Sequence, residues 1–230
     1  MTATALDKIS LHHVIMNHFL KHGHPPTSAA LAAHFRVDRE AITSTLLALQ
    51  EYHGVVLHPH EPEVWVAHPF SSAPTCFTVR QGERCWWGNC AWCSFGIAAL
   101  LGGDGVLIES SLGADSRPVT VHVEDGRVRE DLLVHFPVSM PRVWDNVIYA
   151  DSLVLFFESD SQIDSWAKLH NIARGDSQPT QRVYELGATW YAHHLDRAWH
   201  KWTVEEAQAI FTKCGLTGQI WELPLSDERF

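Results

Sequence analysis

Two cysteines, Cys90 and Cys93, are the residues whose type and spacing point most directly to chemistry. They are two of five cysteines in the 230-residue chain, and the others are Cys76, Cys85 and Cys214. The thiolate is the form of cysteine that attacks electrophiles and binds soft metal ions. At positions i and i+3 of a helix, two sulfurs can reach one ion from the same face. The pair therefore predicts soft-metal or thiol chemistry, whereas Cys214 alone is typical of a small buried hydrophobic residue.

The local sequence places this pair at the start of a helix. Asn89 is a typical N-cap residue and Gly102-Gly103 is a typical stop, so we expect a helix from Cys90 to Leu100. In the first helical turn, the helix dipole and the unpaired backbone amides favour an anion. We therefore expect the pKa of Cys90 to lie below the free value of about 8.5, and Cys90 to be the most reactive thiol.

Two other arrangements of metal-ligating residues are less specific. Cys85 extends the pair to Cys-x4-Cys-x2-Cys, the spacing of plant-type iron–sulfur proteins, but a strand at Cys85 followed by a helix does not resemble a cluster-binding loop. His193, Arg197 and His200 share one face of an expected helix and could hold a metal ion. Among 16 histidines chance proximity is common, so a solvated or interface face is the better interpretation of this cluster.

The elements that must position the cysteines fall into two groups. Helical periodicity and capping residues predict three helices before residue 53, and a hairpin of Val55–Leu57 with Val64–Ala67 follows them. Beyond the turn-rich segment 68–74, strands are expected at 76–80, 84–87, 106–110, 119–123, 132–136 and 152–157, and helices at 162–170, 183–199 and 204–213. We expect an α+β chain, with a winged-helix-like three-helix module over residues 1–68 and a mixed-sheet domain over residues 69–230.

Charge and hydropathy narrow the classes of partner. The chain has 17 Lys and Arg against 27 Asp and Glu, a formal charge of −10 that repels phosphate, so we expect no nucleic-acid partner. The third helix, Asp38 to Tyr52, has Arg39 as its one basic residue, which disfavours a role in DNA recognition. No apolar run reaches the roughly 18 residues of a membrane span, so we expect no membrane partner. Residues 1–8 lack a signal-peptide pattern, which predicts a cytoplasmic chain with reduced thiols.

The segment around Cys90 resembles that of the organomercurial (alkylmercury) lyases. The most specific part is Trp86-Trp87-Gly88-Asn89-Cys90-Ala91-Trp92, and the resemblance extends to the acidic N-terminal module, the 69–77 approach, the 155–159 strand and the 165–170 helix. It covers most of the chain. The resemblance implies a lyase that requires no cofactor and acts on an organic compound of mercury or of another soft metal or metalloid.

The same resemblance implies a set of site residues. In that family a cysteine at the position of Cys90 and a second cysteine before a Phe-Phe strand hold mercury, and an aspartate three residues after the first cysteine assists protonation. In this sequence Cys93 occupies the position of the aspartate, and Ser152 aligns near the second cysteine. We predict that Cys90, Cys93, Asp151 and Ser152 form the catalytic site. Cys90 and Cys93 would bind the metal, Asp151 would relay a proton, and Ser152→Cys would add a soft ligand.

Three functions are compatible with these residues. The leading hypothesis is thiolate-assisted protonolysis of a carbon–metal bond, with mercury or a related soft metal in the substrate. A non-catalytic protein that binds a soft metal ion through Cys90 and Cys93 would show the same cysteine spacing. A winged-helix transcriptional regulator is the third hypothesis. The residues leave the true substrate and the oligomeric state open.

Overall fold

A computed structural model of the chain describes residues 5–224. Residues 1–4, on which the expectation about a signal peptide partly rests, lie outside the described residues, as do residues 225–230. The described helices are α1 Lys8–His22, α2 Ser28–Phe35, α3 Arg39–Glu51, α4 Ala91–Leu100, α5 Val147–Ser152, α6 Asp160–His170, α7 Thr180–Trp190 and α8 Val204–Lys213. Short 3-10 helices cover Met140–Asp145 and Gln219–Trp221.

The three predicted N-terminal helices are present, and each begins at a capping residue. The side chains of Asp7, Thr27 and Asp38 accept hydrogen bonds from backbone amides in the first turns of α1, α2 and α3. The helices bury their apolar faces against one another and against the following sheet, with Leu11, Ile15, Phe19, Ile42 and Leu46 fully buried.

Two antiparallel sheets make up the rest of the fold. The larger has eight strands in the order β1-β2-β3-β5-β4-β6-β7-β8. These strands are β1 Val56–Leu57, β2 Val64–Ala67, β3 Phe70–Ser71, β4 Phe77–Gln81, β5 Arg84–Gly88, β6 Val106–Ser111, β7 Pro118–Glu124 and β8 Arg127–Val128. The smaller sheet is ordered β10-β9-β11, from Phe156–Phe157, Leu133–Phe136 and Asp176–Pro179. Because β2 pairs with β3, the large sheet continues across residue 68, and the domain boundary drawn there stays a prediction.

Two predicted elements differ from the structure. The expected strand 152–157 is a strand only at Phe156–Phe157, and α5 ends at Ser152. The amides of Leu153 and Val154 donate to carbonyls at the end of α5, so these residues complete a helical turn. The expected helix 183–199 ends at Trp190, and turns closed by the amides of His194, Asp196 and Trp199 follow. The apolar residues that suggested a longer helix include Tyr191 and Trp199, which are buried within those turns.

Helix α4 packs between helix α7 and strands β4, β5 and β6. The amide of Ala91 donates to the carbonyl of Val154 at 3.1 Å, which ties the start of α4 to the segment after α5. Farther along, Gly96 faces α7, where a Cβ atom on Gly187 would come within 2.9 Å of the Gly96 nitrogen. The absence of side chains at both glycines therefore lets the two helices approach closely.

No helix within residues 5–224 is both long enough and apolar enough to cross a membrane.

Candidate active site

The two cysteines singled out by the sequence both lie at the start of α4. Cys90 is the N-cap, with extended backbone at φ −156°, and its Sγ accepts a hydrogen bond from the Cys93 amide at 3.3 Å. Cys93 lies in the first turn of the helix. The side chains are deeply buried, with 0% of Cys90 and 1% of Cys93 exposed. The helix start therefore holds both sulfurs beneath the surface, and a ligand must reach them through a cavity.

Three ligating side chains from different parts of the chain converge beside α4. One ligand atom from each of His68, Cys93 and Asp151 lies within 4.8 Å of the other two. His68 follows β2, Cys93 belongs to α4, and Asp151 lies in the last turn of α5. His68 Nε2 and Asp151 Oδ2 are 2.9 Å apart, a hydrogen-bond distance. Nitrogen, sulfur and oxygen donors are thus brought together at one point.

Burial and mutual charge set the protonation of this cluster. Burial disfavours a charged His68, but the charge and hydrogen bond of Asp151 and the charge of Cys93 outweigh it, so the pKa of His68 is raised. The pKa of Cys90 is raised well above the ordinary thiol value, first by burial and then by Cys93 and Asp151. Burial also raises the pKa of Tyr191, whose hydroxyl oxygen lies 3.7 Å from Cys93 Sγ. Cys90 and Tyr191 therefore retain their protons at neutral pH.

A cavity of about 90 Å³ opens beside Cys93. Its walls are mainly aromatic and include the side chains of Trp92, Trp144, Trp190, Tyr191, Trp199 and Trp202. Buried nitrogens of His68, Trp92, His194 and Trp199 have no hydrogen-bond partner among the described residues. Burial lowers the pKa of His194 to about 3, so its ring is neutral here. The cavity therefore combines an apolar surface with a few polar atoms that can interact with a bound water or substrate.

The structure places the predicted site residues in two groups. Cys93 and Asp151 meet at the start of α4, where Cys90 Sγ accepts from the Cys93 amide, and the side chain of Asp151 turns inward towards His68. Ser152 is exposed, and its hydroxyl donates to the Tyr149 carbonyl at 2.7 Å. Ser152 was expected to lie near Cys93, but the preceding residue, Asp151, lies there instead. Consecutive residues of a helix point in different directions, so only one of the two can face Cys93.

Two further expectations from the sequence are wrong. The expected lowering of the Cys90 pKa fails because complete burial outweighs the favourable helix terminus. The histidine cluster does not form a shared helical face, since the chain beyond Trp190 is a series of turns. His193 pairs instead with Asp196 at 2.9 Å and His200 with Glu206 at 3.5 Å.

Sequence reasoning missed His68 and Tyr191 as parts of the site. His68 precedes a proline in a segment that resembles an ordinary turn, and it is 83 positions from Asp151. Tyr191 was expected within a longer helix, whereas it is the C-cap residue of α7. No local pattern announces either residue, because their approach to Cys93 depends on the packing of α5 and α7 around α4.

The fold and site define an α+β protein with two buried thiols, a carboxylate and an imidazole at a helix start. The family model MerB: Alkylmercury lyase matches residues 70–192. The chain therefore belongs to the alkylmercury lyase family, and the resemblance noted around Cys90 is confirmed.

The comparison with solved structures supports the same fold. The mercury-bound form of MerB2 is similar with a TM-score of 0.61 and 15% sequence identity. The similarity covers 81% of this chain and 91% of that chain. The predicted α+β fold class is confirmed. The comparison with curated proteins gave no match.

Proposed function

We propose that this chain cleaves the carbon–mercury bond of small organomercurials by protonolysis, with Cys90, Cys93 and Asp151 as the reacting groups. The observation that carries the proposal is the approach of the inward-facing Asp151 carboxylate to the Cys93 thiol, with the second buried thiol, Cys90, beside Cys93 at the start of α4. The resemblance to the family implies two thiols and one carboxylate. In this chain Cys93 of α4 stands where the family has its aspartate, and Asp151 of α5 lies next to the position of the second cysteine. The thiol and the carboxylate are therefore both present, but each occupies the place of the other.

In the first step, an organomercurial R–Hg–X enters the cavity and Cys93 displaces X. The Cys93 thiol loses its proton, its sulfur bonds to mercury, and X leaves as HX, which gives R–Hg–S–Cys93. Cys93 is suited to this role because it lines the cavity, whereas Cys90 does not. Mercury is a soft metal and binds thiolate in preference to the nearby imidazole and carboxylate.

In the second step, Cys90 supplies the proton that the departing carbon requires. Its raised pKa keeps the thiol protonated until mercury approaches. The Cys90 sulfur then bonds to mercury and releases its proton through Asp151 to the carbon, while the electron pair of the carbon–mercury bond forms the new carbon–hydrogen bond. The products are R–H and mercury held by the two thiolates, so ligation and protonolysis are coupled.

The cavity indicates the size of the organic group. An engineered cavity of about 150 Å³ accommodates benzene, whereas this cavity measures about 90 Å³. Its aromatic walls are apolar and suit an alkyl group. We therefore propose methyl- and ethylmercury as better substrates than phenylmercury.

The test is alkane release by the purified protein. Methylmercury chloride is supplied with excess free thiol, and methane in the headspace is measured by gas chromatography. Cys93→Ser and Cys90→Ser should each abolish turnover, and Asp151→Asn should reduce it by at least about 100-fold, in the range of general acid–base catalysis. Cys76→Ser, which removes the exposed thiol, is the matched control and should leave turnover unchanged.

Two results would overturn the proposal. Tight binding of mercuric ion without methane release from methylmercury would identify the chain as a soft-metal-binding protein that uses Cys90 and Cys93. Turnover that survives Cys93→Ser would mean that the carbon–mercury bond is cleaved at another place.

A further inference from the structure

We propose that His68, Cys93 and Asp151 also form a binding site for a borderline divalent cation of the Zn²⁺ type. The proposal does not rest on carbon–mercury chemistry. It rests on three different donors held within 4.8 Å of one another, with Cys93 and Asp151 buried and His68 partly buried. The cation site shares Cys93 and Asp151 with the site proposed for mercury but uses His68 as its third ligand, where the mercury site uses Cys90.

The geometry of the triad is close to that of a tetrahedral zinc site. Zinc bonds of about 2.0 to 2.3 Å place neighbouring ligand atoms roughly 3.3 to 3.7 Å apart. His68 Nε2 and Asp151 Oδ2 are 2.9 Å apart, and no pair of ligand atoms in the triad is more than 4.8 Å apart. Side-chain adjustments of about 1 Å would therefore place the three ligand atoms at three corners of a zinc coordination tetrahedron.

The charges of the triad also match a divalent ion. A Cys93 thiolate and an Asp151 carboxylate together neutralise a charge of +2, which a buried site requires. The proton between His68 and Asp151 would leave as the cation enters, because a ligating histidine is neutral. The Tyr191 hydroxyl, 3.7 Å from Cys93 Sγ, can donate a hydrogen bond to the metal-bound sulfur and hold it in place.

The chemistry of the donors selects the type of ion. One imidazole, one thiolate and one carboxylate suit zinc or cobalt, whereas mercuric ion prefers two thiolates. All three triad residues line the cavity of about 90 Å³, which leaves a fourth position open to water or a small ligand. Three protein ligands with one open position are the pattern of a reactive zinc site rather than a closed structural one.

The experiment uses Co²⁺ as a spectroscopic substitute for Zn²⁺. The reduced, metal-free full-length protein is titrated with Co²⁺, and absorption is recorded for the thiolate-to-cobalt band and the visible bands of tetrahedral cobalt. We expect one Co²⁺ per chain, displaced by Zn²⁺. His68→Gln, Cys93→Ser and Asp151→Asn should each weaken binding by at least about tenfold. His60→Gln, which changes an exposed histidine, is the control and should bind as the parent does.

Cys90→Ser separates this site from the dithiol site. It should retain the cobalt bands while it loses mercuric-ion affinity, and His68→Gln should show the opposite pattern. Circular dichroism of each variant establishes that it is folded, and a rise in parent melting temperature with Zn²⁺ gives a second readout. The proposal is overturned if the parent shows no thiolate-to-cobalt band, or if Cys90→Ser removes the band and His68→Gln does not. Methane release by the metal-free protein tests the lyase proposal separately.

Discussion

Nε2 of His68 lies 2.9 Å from Oδ2 of Asp151, although the two residues are 83 positions apart. His68 follows the last residue of β2 and precedes β3, the strand that pairs with both β2 and β5 in the large sheet. Asp151 comes from the last turn of α5. The site is therefore closed by a residue from the part of the chain assigned by sequence to the N-terminal module. The module contributes to the position of Asp151, and through it to the surroundings of Cys93.

The inward direction of Asp151 and the outward direction of Ser152 give opposite results for two neighbouring cysteine substitutions. Asp151→Cys places a third thiol beside Cys93 and should tighten mercuric-ion binding by at least about tenfold, since thiolate is a far softer donor than carboxylate. The same change removes the proposed proton relay, so methane release should fall. Competitive metal titration and gas chromatography measure the two effects.

Ser152→Cys is the matched control for that substitution. Its sulfur should remain exposed on α5, with mercuric-ion affinity and methane release both unchanged. The resemblance to the family suggested that Ser152→Cys would add a ligand. Tighter binding in Ser152→Cys than in Asp151→Cys would show that α5 is rotated relative to the arrangement described here.

Access and burial predict the order in which the thiols react with an alkylating reagent. Cys76 is exposed, whereas Cys90 and Cys93 are buried. Although the helix start favours a thiolate at Cys90, its pKa is raised by burial. We expect iodoacetamide to label Cys76 before Cys90 in the native protein, and unfolding in urea to remove the difference. Mass spectrometry of digested samples measures the order, and faster labelling of Cys90 would contradict the burial described here.

The sequence predicted the parts of the fold that local rules determine. Thr27 and Asp38 are typical capping residues at the starts of α2 and α3, and Thr203 and Glu206 have the spacing of the capping box that is present in α8. These signals depend on interactions between residues a few positions apart. The strand pairing of β4 with β5 was also predictable, because a short turn joins them.

The sequence could not predict the composition of the site in the same way. Cys90 and Cys93 were found because they are close in sequence and lie at a helix start. Asp151 was found through the resemblance, but its direction depends on where α5 ends. His68 and Tyr191 reach Cys93 only through tertiary packing, and periodicity carries no information on such contacts.

Buried neutral histidines should make the protein less stable as the pH falls. Burial lowers the pKa of His194 to about 3 and that of His53 to about 4, and it places the pKa of His12 well below the ordinary 6.5. A base with a depressed folded pKa contributes full stability above its unfolded pKa and loses it below. For His194 the loss between neutral pH and about pH 5 is about 2 kcal/mol. The raised pKa of His68 acts in the opposite direction, but burial also lowers the pKa of His135, so one group opposes four.

Urea denaturation at about pH 7 and about pH 5 measures this effect. The parent should unfold at lower urea concentration at the acidic pH. His194→Phe, which keeps a ring but removes the titration, should reduce the difference, while His60→Gln at an exposed position should leave it unchanged. Equal or greater stability at about pH 5 in the parent would contradict the neutral state of the buried histidines.

The close approach of Gly96 to Tyr191 predicts that one added methyl group will disturb the site. A Cβ atom at Gly96 would lie 2.3 Å from Cδ2 of Tyr191, far inside van der Waals contact. In an exposed helix, Gly→Ala stabilises by about 1 kcal/mol. Here the overlap with a buried ring should reverse the sign, so that Gly96→Ala lowers the free energy of unfolding by about 1 to 3 kcal/mol. Urea denaturation gives the value, and methane release should fall as Tyr191 shifts away from Cys93.

A double-mutant cycle distinguishes this overlap from a general weakening of α4. In a Tyr191→Ala background the ring is absent, so Gly96→Ala should be neutral or stabilising, as in an ordinary helix. The cycle therefore yields a coupling free energy of at least about 1 kcal/mol between the two positions. If Gly96→Ala destabilises both backgrounds equally, the methyl group meets the α7 backbone near Gly187 instead of the Tyr191 ring, and the proposed effect on the position of Tyr191 is wrong.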